Sequence, residues 1–267
     1  MPPVCSHGRR LGLAVSALIP LAGLLPIAGA LAKADPLPAT VRFDALYIPA
    51  LSATSAAQTD ARAVPRARAA SARLHQAWPA LRRALAAAPP GPAGAWARAL
   101  QQVEVQLATA ERSVARADWA QAHEDLEPVR ITLLKARQAA GFDYFVDRLT
   151  AFHEPMEVLA SAGATLAPGR IDARHRAELE KTFAEAAARW RAIEQHLPDA
   201  RVYRLSPARE AQFRQNLAAE AAALSRLSDA LRGGDDARLL AAAKAIKPPF
   251  ARAFTAFGLA EGETLSD

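Results

Sequence analysis

Two short segments of this chain repeat the pattern H-E-x-x-E: His123-Glu124-Asp125-Leu126-Glu127 and His153-Glu154-Pro155-Met156-Glu157. On a helix, residues four apart share a face, so His123 stands over Glu127 and His153 over Glu157. An imidazole beside a carboxylate can hold a metal ion, move a proton, or anchor a buried polar network. His153 with Glu157 and Glu127 suits zinc or iron. His153-x-x-Met156 adds a thioether, a donor that copper favours.

Both segments lie in strongly periodic surroundings. Phe145, Leu149, Phe152, Met156 and Leu159 recur at four- and three-residue steps, as do Trp119, Ala122, Leu126, Val129, Leu133 and Ala136. These stripes predict two amphipathic helices, the third and fourth of the chain, packed through their apolar faces. Each histidine lies about 80–90° round from its stripe, in the same rotational sense. A reversal near Gly141-Phe142 sets position 130 opposite 153 and position 127 opposite 156. Glu127, Arg130, His153, Met156 and Glu157 then gather within about one turn. His123 falls about 10 Å further along the axis, a separate neighbour. Pro128 and Pro155, at similar heights, each free a carbonyl one turn earlier, at Glu124 and Ala151, and such carbonyls can frame a polar pocket.

Three arrangements of these residues compete. One is the metal site. The second is a structural network in which Arg130 pairs with Glu127 or Glu157, and a cation at that level opposes metal charge. The third is a pocket for haem b, which would need a distant second ligand, since His153 and Met156 share one helix. The chain carries no G-x-S-x-G, H-E-x-x-H, P-loop or G-x-G-x-x-G, and it is read as non-enzymatic.

The elements that must position these residues are helical throughout. Gly is scarce, at 13 of 267 residues, and no alternating strand pattern of useful length occurs. The expected fold is all-α: an antiparallel bundle of about six or seven helices, in two linked sub-bundles over residues 35–161 and 162–267. Residues 35–44 read as a Pro-containing lead-in. Pro49, Pro65 and Pro79 are placed to begin, bend or divide helices in the stretch that follows. Asp118, Asp143, Asp172 and Asp235 are candidate N-caps, and Gly141 and Gly163 are candidate stops. A short echo between residues 117–129 and 236–249, each with a late proline, would suit a duplication. Alanine-rich helices align cheaply, however, and chance is the simpler reading.

Residues 1–34 read as a cleavable export signal. Arg9 and Arg10 precede an apolar run from Leu11 to Ala30, and Ala32-Lys33-Ala34 forms an A-x-A site, so cleavage is expected after Ala34, with Ala28-Gly29-Ala30 as the alternative. The Arg9-Arg10 pair also fits a twin-arginine route. The mature protein would be periplasmic or secreted. Cleavage takes Arg9, Arg10 and Lys33 from the 33 basic residues and none of the 27 acids. The surplus of three cations that remains does not argue for nucleic acid. Cys5, the only cysteine, leaves with the signal, which excludes a disulfide and a covalent c-type haem from the mature chain. The basic stretch carrying Arg62, Arg66, Arg68, Arg73, Arg82 and Arg83 could meet a protein partner or an anionic surface. Such arginines more often pair with acids on neighbouring helices, here Glu104, Glu111 and Asp118. The expectation is thus a non-enzymatic binding protein holding Cu, Zn, Fe or a small polar ligand. Its alternative is a structural or protein-interaction module with a basic first helix and no metal.

Overall fold

The structure, a computed structural model, describes residues 34–260 and 263. The expected export segment and Cys5 lie outside these, save Ala34. Among the described residues there are nine α-helical segments and no strand. They are α1 (Leu37–Ala57), α2 (Val64–Ala87), α3 (Ala93–Ala115), α4 (Trp119–Ala139), α5 (Phe145–Thr165), α6 (Ala173–Gln195), α7 (Pro207–Gly233), α8 (Asp236–Ala245) and α9 (Lys247–Thr255). The protein is all-helical, with more helices than the six or seven expected. The third and fourth helices of the sequence reading are α4 and α5.

The extra segments arise at two places. From Leu37 on, the lead-in at 35–44 is already helix, because prolines at Pro36 and Pro38 sit before and within the first turn, where their missing N–H groups cost nothing. Val41, Phe43 and Tyr47 bury that early turn in the core. The chain then breaks at residues 58–60, where no proline stands. The Asp60 side chain there accepts from the Arg62 N–H and opens a single 3₁₀ turn before α2. Pro65 lies in the first turn of α2, while Pro49 and Pro79 ride inside α1 and α2. At the other end, α8 and α9 abut at Ile246, with Pro248 and Pro249 in the opening turn of α9. In α4, by contrast, Pro128 stays inside an unbroken helix.

Each interior proline frees a carbonyl, and partners from elsewhere in the chain take two of them. Pro49 releases the Ala45 carbonyl, which accepts from the Leu259 N–H at 2.8 Å. That carbonyl pins the residues after α9 against α1. Pro155 releases the Ala151 carbonyl, which accepts from the Arg189 guanidinium of α6. The Ala151 carbonyl therefore tethers α5 to α6 rather than framing a pocket, as the sequence had suggested.

Asp118, Asp172 and Asp235 cap α4, α6 and α8, each accepting from a backbone N–H three residues on. Asp143 does not cap α5. Tyr144 holds the cap position with no side-chain bond, and Asp143 pairs with Arg148 at 2.9 Å. Gly141 takes a left-handed φ of +66° in the turn after α4. Gly163 does not stop its helix. A Cβ there would fall 2.6 Å from the Leu240 carbonyl oxygen and the Lys244 nitrogen, so its role is to let α8 lie close on α5.

Packing groups α1 to α4 most closely with one another and α5 to α9 likewise. The α3–α4 pair runs antiparallel, tied by Ser113 to Asp125 at 2.6 Å and Gln106 to Thr132 at 3.0 Å. α5 packs chiefly on α6 and α8, and touches α4 sparingly. The stripe on α5 is the reason: Leu149, Phe152, Met156 and Leu159 are fully buried, and Phe152 stacks near Trp190 of α6 and Phe250 of α9. Each such side chain contributes roughly 1.5–3 kcal/mol. The stripe thus points α5 into the C-terminal group and leaves its polar flank facing α4 across a gap. No helix among the described residues is long and apolar enough to cross a membrane.

Candidate functional site

That gap is a cleft of about 700 Å³ walled by α1, α4, α5 and α9. His123, Glu127, Arg130, His153, Met156 and Glu157, the residues singled out by spacing, all line it. The register inferred from a reversal at Gly141 brings Arg130 onto His153. One guanidinium nitrogen, Nη2, stands 2.7 Å from His153 Nδ1 and also donates to Glu127. Phe254 of α9 lies under the same guanidinium, 5.7 Å from its ring centroid.

His153 is most of the way out of water, with its ring 5.7 Å from that of Phe250. Burial, then the charges of Arg130, Lys247 and His123, push its pKa down to about 2. The ring is neutral at any ordinary pH, so it accepts from Arg130 through one nitrogen. Its Nε2 faces Glu157 at 3.7 Å, beyond hydrogen-bond length. Glu157 turns instead to Lys247, the first residue of α9, at 2.8 Å. One Glu157 oxygen has no hydrogen-bond partner among the described residues.

His123 is not the outlier that axial rise predicted. It lines the same cleft, because α1 closes over it: its Nδ1 lies 3.2 Å from the Leu51 carbonyl, which can only accept. Its Nε2 stands 3.5 Å from Glu127. Met156 is fully buried and belongs to the α5 core stripe.

The donor set does not converge as a metal requires. Among the described residues no three His, Cys, Asp or Glu side chains are arranged to hold an ion. Arg130 is the physical reason: its cation stands between Glu127 and His153, where an ion would have to stand. The α9 contributions, Lys247, Phe250 and Phe254, were not legible in spacing. The only sequence signal was the K-P-P start of a helix, which gives no hint of which cleft it faces.

A second polar cluster leaves no local signal in the sequence. Arg137 of α4 binds Asp147 of α5 through two bonds, at 2.8 and 2.5 Å, and its guanidinium lies 4.9 Å from the Tyr144 ring centroid. Tyr144 in turn donates to Asp44 of α1 at 2.7 Å. All four residues are buried. Burial pushes Asp44 up to about 6, with Arg137 and the Tyr144 hydroxyl holding it lower than burial alone would. Glu220 of α7 is also sealed in, with neither oxygen hydrogen-bonded among the described residues. Burial raises it to about 8, more than the Phe250 amide, Arg226 and Arg252 offset.

The basic stretch is partly spent. Arg62 pairs with Asp60 and Arg82 with Glu104, while Arg68 lies over the Trp119 ring. Glu111 takes His75 at 3.1 Å, and Asp118 serves as a cap.

Compared with known proteins, the chain matches no family model, no curated protein and no solved structure.

Proposed function

We propose that this is an exported, non-enzymatic helical-bundle binding protein that holds a small polar ligand in the cleft between α1, α4, α5 and α9. One observation carries the reading. A neutral imidazole, a buried guanidinium and carboxylates gather from both helix groups around about 700 Å³ of space, a volume in the range of small-molecule sites. Charges of both signs line it: Lys247 and Arg130 on one hand, Glu124, Glu127 and Glu157 on the other. A small zwitterion matches that arrangement, with its anionic end at Lys247 and Arg130 and its ammonium at the carboxylates. A copper, zinc or iron ion would first require the Arg130 guanidinium to swing out, whereas a zwitterion can exchange with the Arg130–Glu127 and Lys247–Glu157 pairs already formed there.

The test is a thermal-shift and calorimetric screen of free amino acids and dipeptides at millimolar concentration. It uses tag-free protein and is run in parallel with Cu²⁺, Zn²⁺ and Fe³⁺. A saturable shift with a zwitterion, lost in Arg130→Met and Glu127→Gln, is the expected result. Stoichiometric metal that disappears in His153→Ala would replace this reading with the metal site, and no binding of either kind would overturn both.

A second reading, a protein-interaction module with no bound metal, draws on Arg66, Arg73 and Arg83, which pair with no carboxylate among the described residues. Retention of an acidic peptide by the protein, lost when the three are changed to Gln, would favour it.

A further inference from the structure

The α1–α4 group contains a second cavity, remote in character from the cleft. It has a volume of about 300 Å³, and its walls are Ala50 of α1, Ser71 and Leu74 of α2, Leu107 and Ala110 of α3, and Leu126 of α4. Its origin is legible in those residues. At this level of the four helices α1 and α3 contribute alanines, and the leucines around them do not reach far enough to fill the layer. The cavity's floor is buried, and it opens to solvent past Arg68, Ala72, His75, Glu111 and Ala115, which are exposed. An apolar cavity of about 150 Å³ is already enough to take up benzene.

Two features define an occupant. At the mouth the charged groups are engaged with each other or with the protein: His75 with Glu111 at 3.1 Å, and Arg68 with the Trp119 ring at 5.2 Å and the Val114 carbonyl at 3.5 Å. Nothing there calls for an ion. Inside, the Ser71 hydroxyl oxygen is buried without a hydrogen-bond partner among the described residues. A buried hydroxyl left unpaired costs free energy that a ligand can return.

We propose that this cavity binds a small, neutral, mainly apolar molecule of bicyclic-aromatic size that carries one hydroxyl or carbonyl group, with that group hydrogen-bonded to Ser71. The site is independent of the polar cleft and of the function assigned to it.

The experiment titrates full-length protein with 2-naphthol and with naphthalene, followed by calorimetry and tryptophan fluorescence. Wild type is expected to bind 2-naphthol saturably, one molecule per chain. Ala110→Leu fills the cavity, and it should weaken binding at least tenfold while leaving the helical circular dichroism and melting temperature at or above wild type. Ser71→Ala should weaken 2-naphthol about fivefold, the effect of one neutral hydrogen bond, and leave naphthalene unchanged. Arg130→Met, in the other cleft, should bind both probes as wild type does. Three results would overturn the proposal: no saturable binding to wild type, a folded Ala110→Leu that binds normally, or loss of binding in Arg130→Met. If Ala110→Leu does not fold, Ser71→Ala decides, and an unchanged preference for 2-naphthol over naphthalene counts against the site.

Discussion

The same pair of helices builds two polar clusters from nearly the same residue types, and the clusters end in opposite states. Near the α4–α5 turn, Arg137, Asp147, Tyr144 and Asp44 close on one another, all buried, with the guanidinium held by two bonds to one carboxylate. Two helical turns away, Arg130 has Glu127 and His153, yet the group opens on a cleft. One Glu157 oxygen there has no hydrogen-bond partner among the described residues. The difference is where the α5 stripe leads the helix. At the turn the two helices are still held together by the connection between them. Further on, α5 follows Phe152 and Met156 into the C-terminal core and parts from α4. Chemistry alone does not tell a structural network from a binding site, because what separates them is whether neighbouring backbones close the space around the charges.

This contrast can be broken first at Arg137. Arg137→Met leaves Asp147 and Asp44 buried without their cation, a loss of about 3–5 kcal/mol in urea unfolding. A loss below about 1 kcal/mol would mean the network is not sealed. The two clusters should next separate by pH. His153 stays neutral in the folded protein, while unfolded histidine takes a proton near its ordinary 6.5. Stability therefore falls on acidification below pH 6.5, by about 2 kcal/mol at pH 5. Asp44 has the opposite sign. With a folded pKa of about 6 against an ordinary 3.8, the folded state binds the extra proton, so stability rises on acidification from about pH 6 to 4, by about 2 kcal/mol. Glu220, at about 8 in the folded protein against an ordinary 4.5, adds a second gain of the same sign as Asp44, and the His153 loss offsets part of the two. His153→Gln should steepen the gain in stability on acidification over that range, and Asp44→Asn should flatten it. Denaturant midpoints measured from pH 4 to 7 check both.

Arg130→Met should cost less than Arg137→Met, about 1–2 kcal/mol, since Glu127 can turn to water in the cleft. Its larger effect should be on the zwitterion screen. The smallest effect is expected at Lys247, whose side chain is half exposed. Lys247→Met should change stability by less than about 1 kcal/mol while lowering affinity for any ligand with an anionic end.

Much of the cleft could be read from residue spacing. The H-E-x-x-E patterns, the stripes of α4 and α5 and the Gly141 turn were enough to place Arg130 against His153, because helical rise and rotation are fixed numbers. The sealed network was not legible. Asp44 and Tyr144 are a hundred positions apart, and Asp143, by its position, competed with the residues that matter for the role of cap. The start of α1 is hidden because prolines in a first turn look the same in sequence as prolines in a loop. Gly163 looks like a stop in sequence because its purpose, room for α8, belongs to another helix.

From its order of residues alone this chain settles that it is helical, where most of its helices begin, and which side chains share a face, since these depend on contacts a few residues apart. Which face meets which was settled only in three dimensions. The approach of α1 and α9 to the polar flank of α5, the carbonyls of Ala45 and Ala151 finding distant donors, and the unfilled layer beside Ser71 all arise from contacts tens to hundreds of positions apart. Local periodicity carries no record of such contacts, because each depends on how several apolar faces are buried at once.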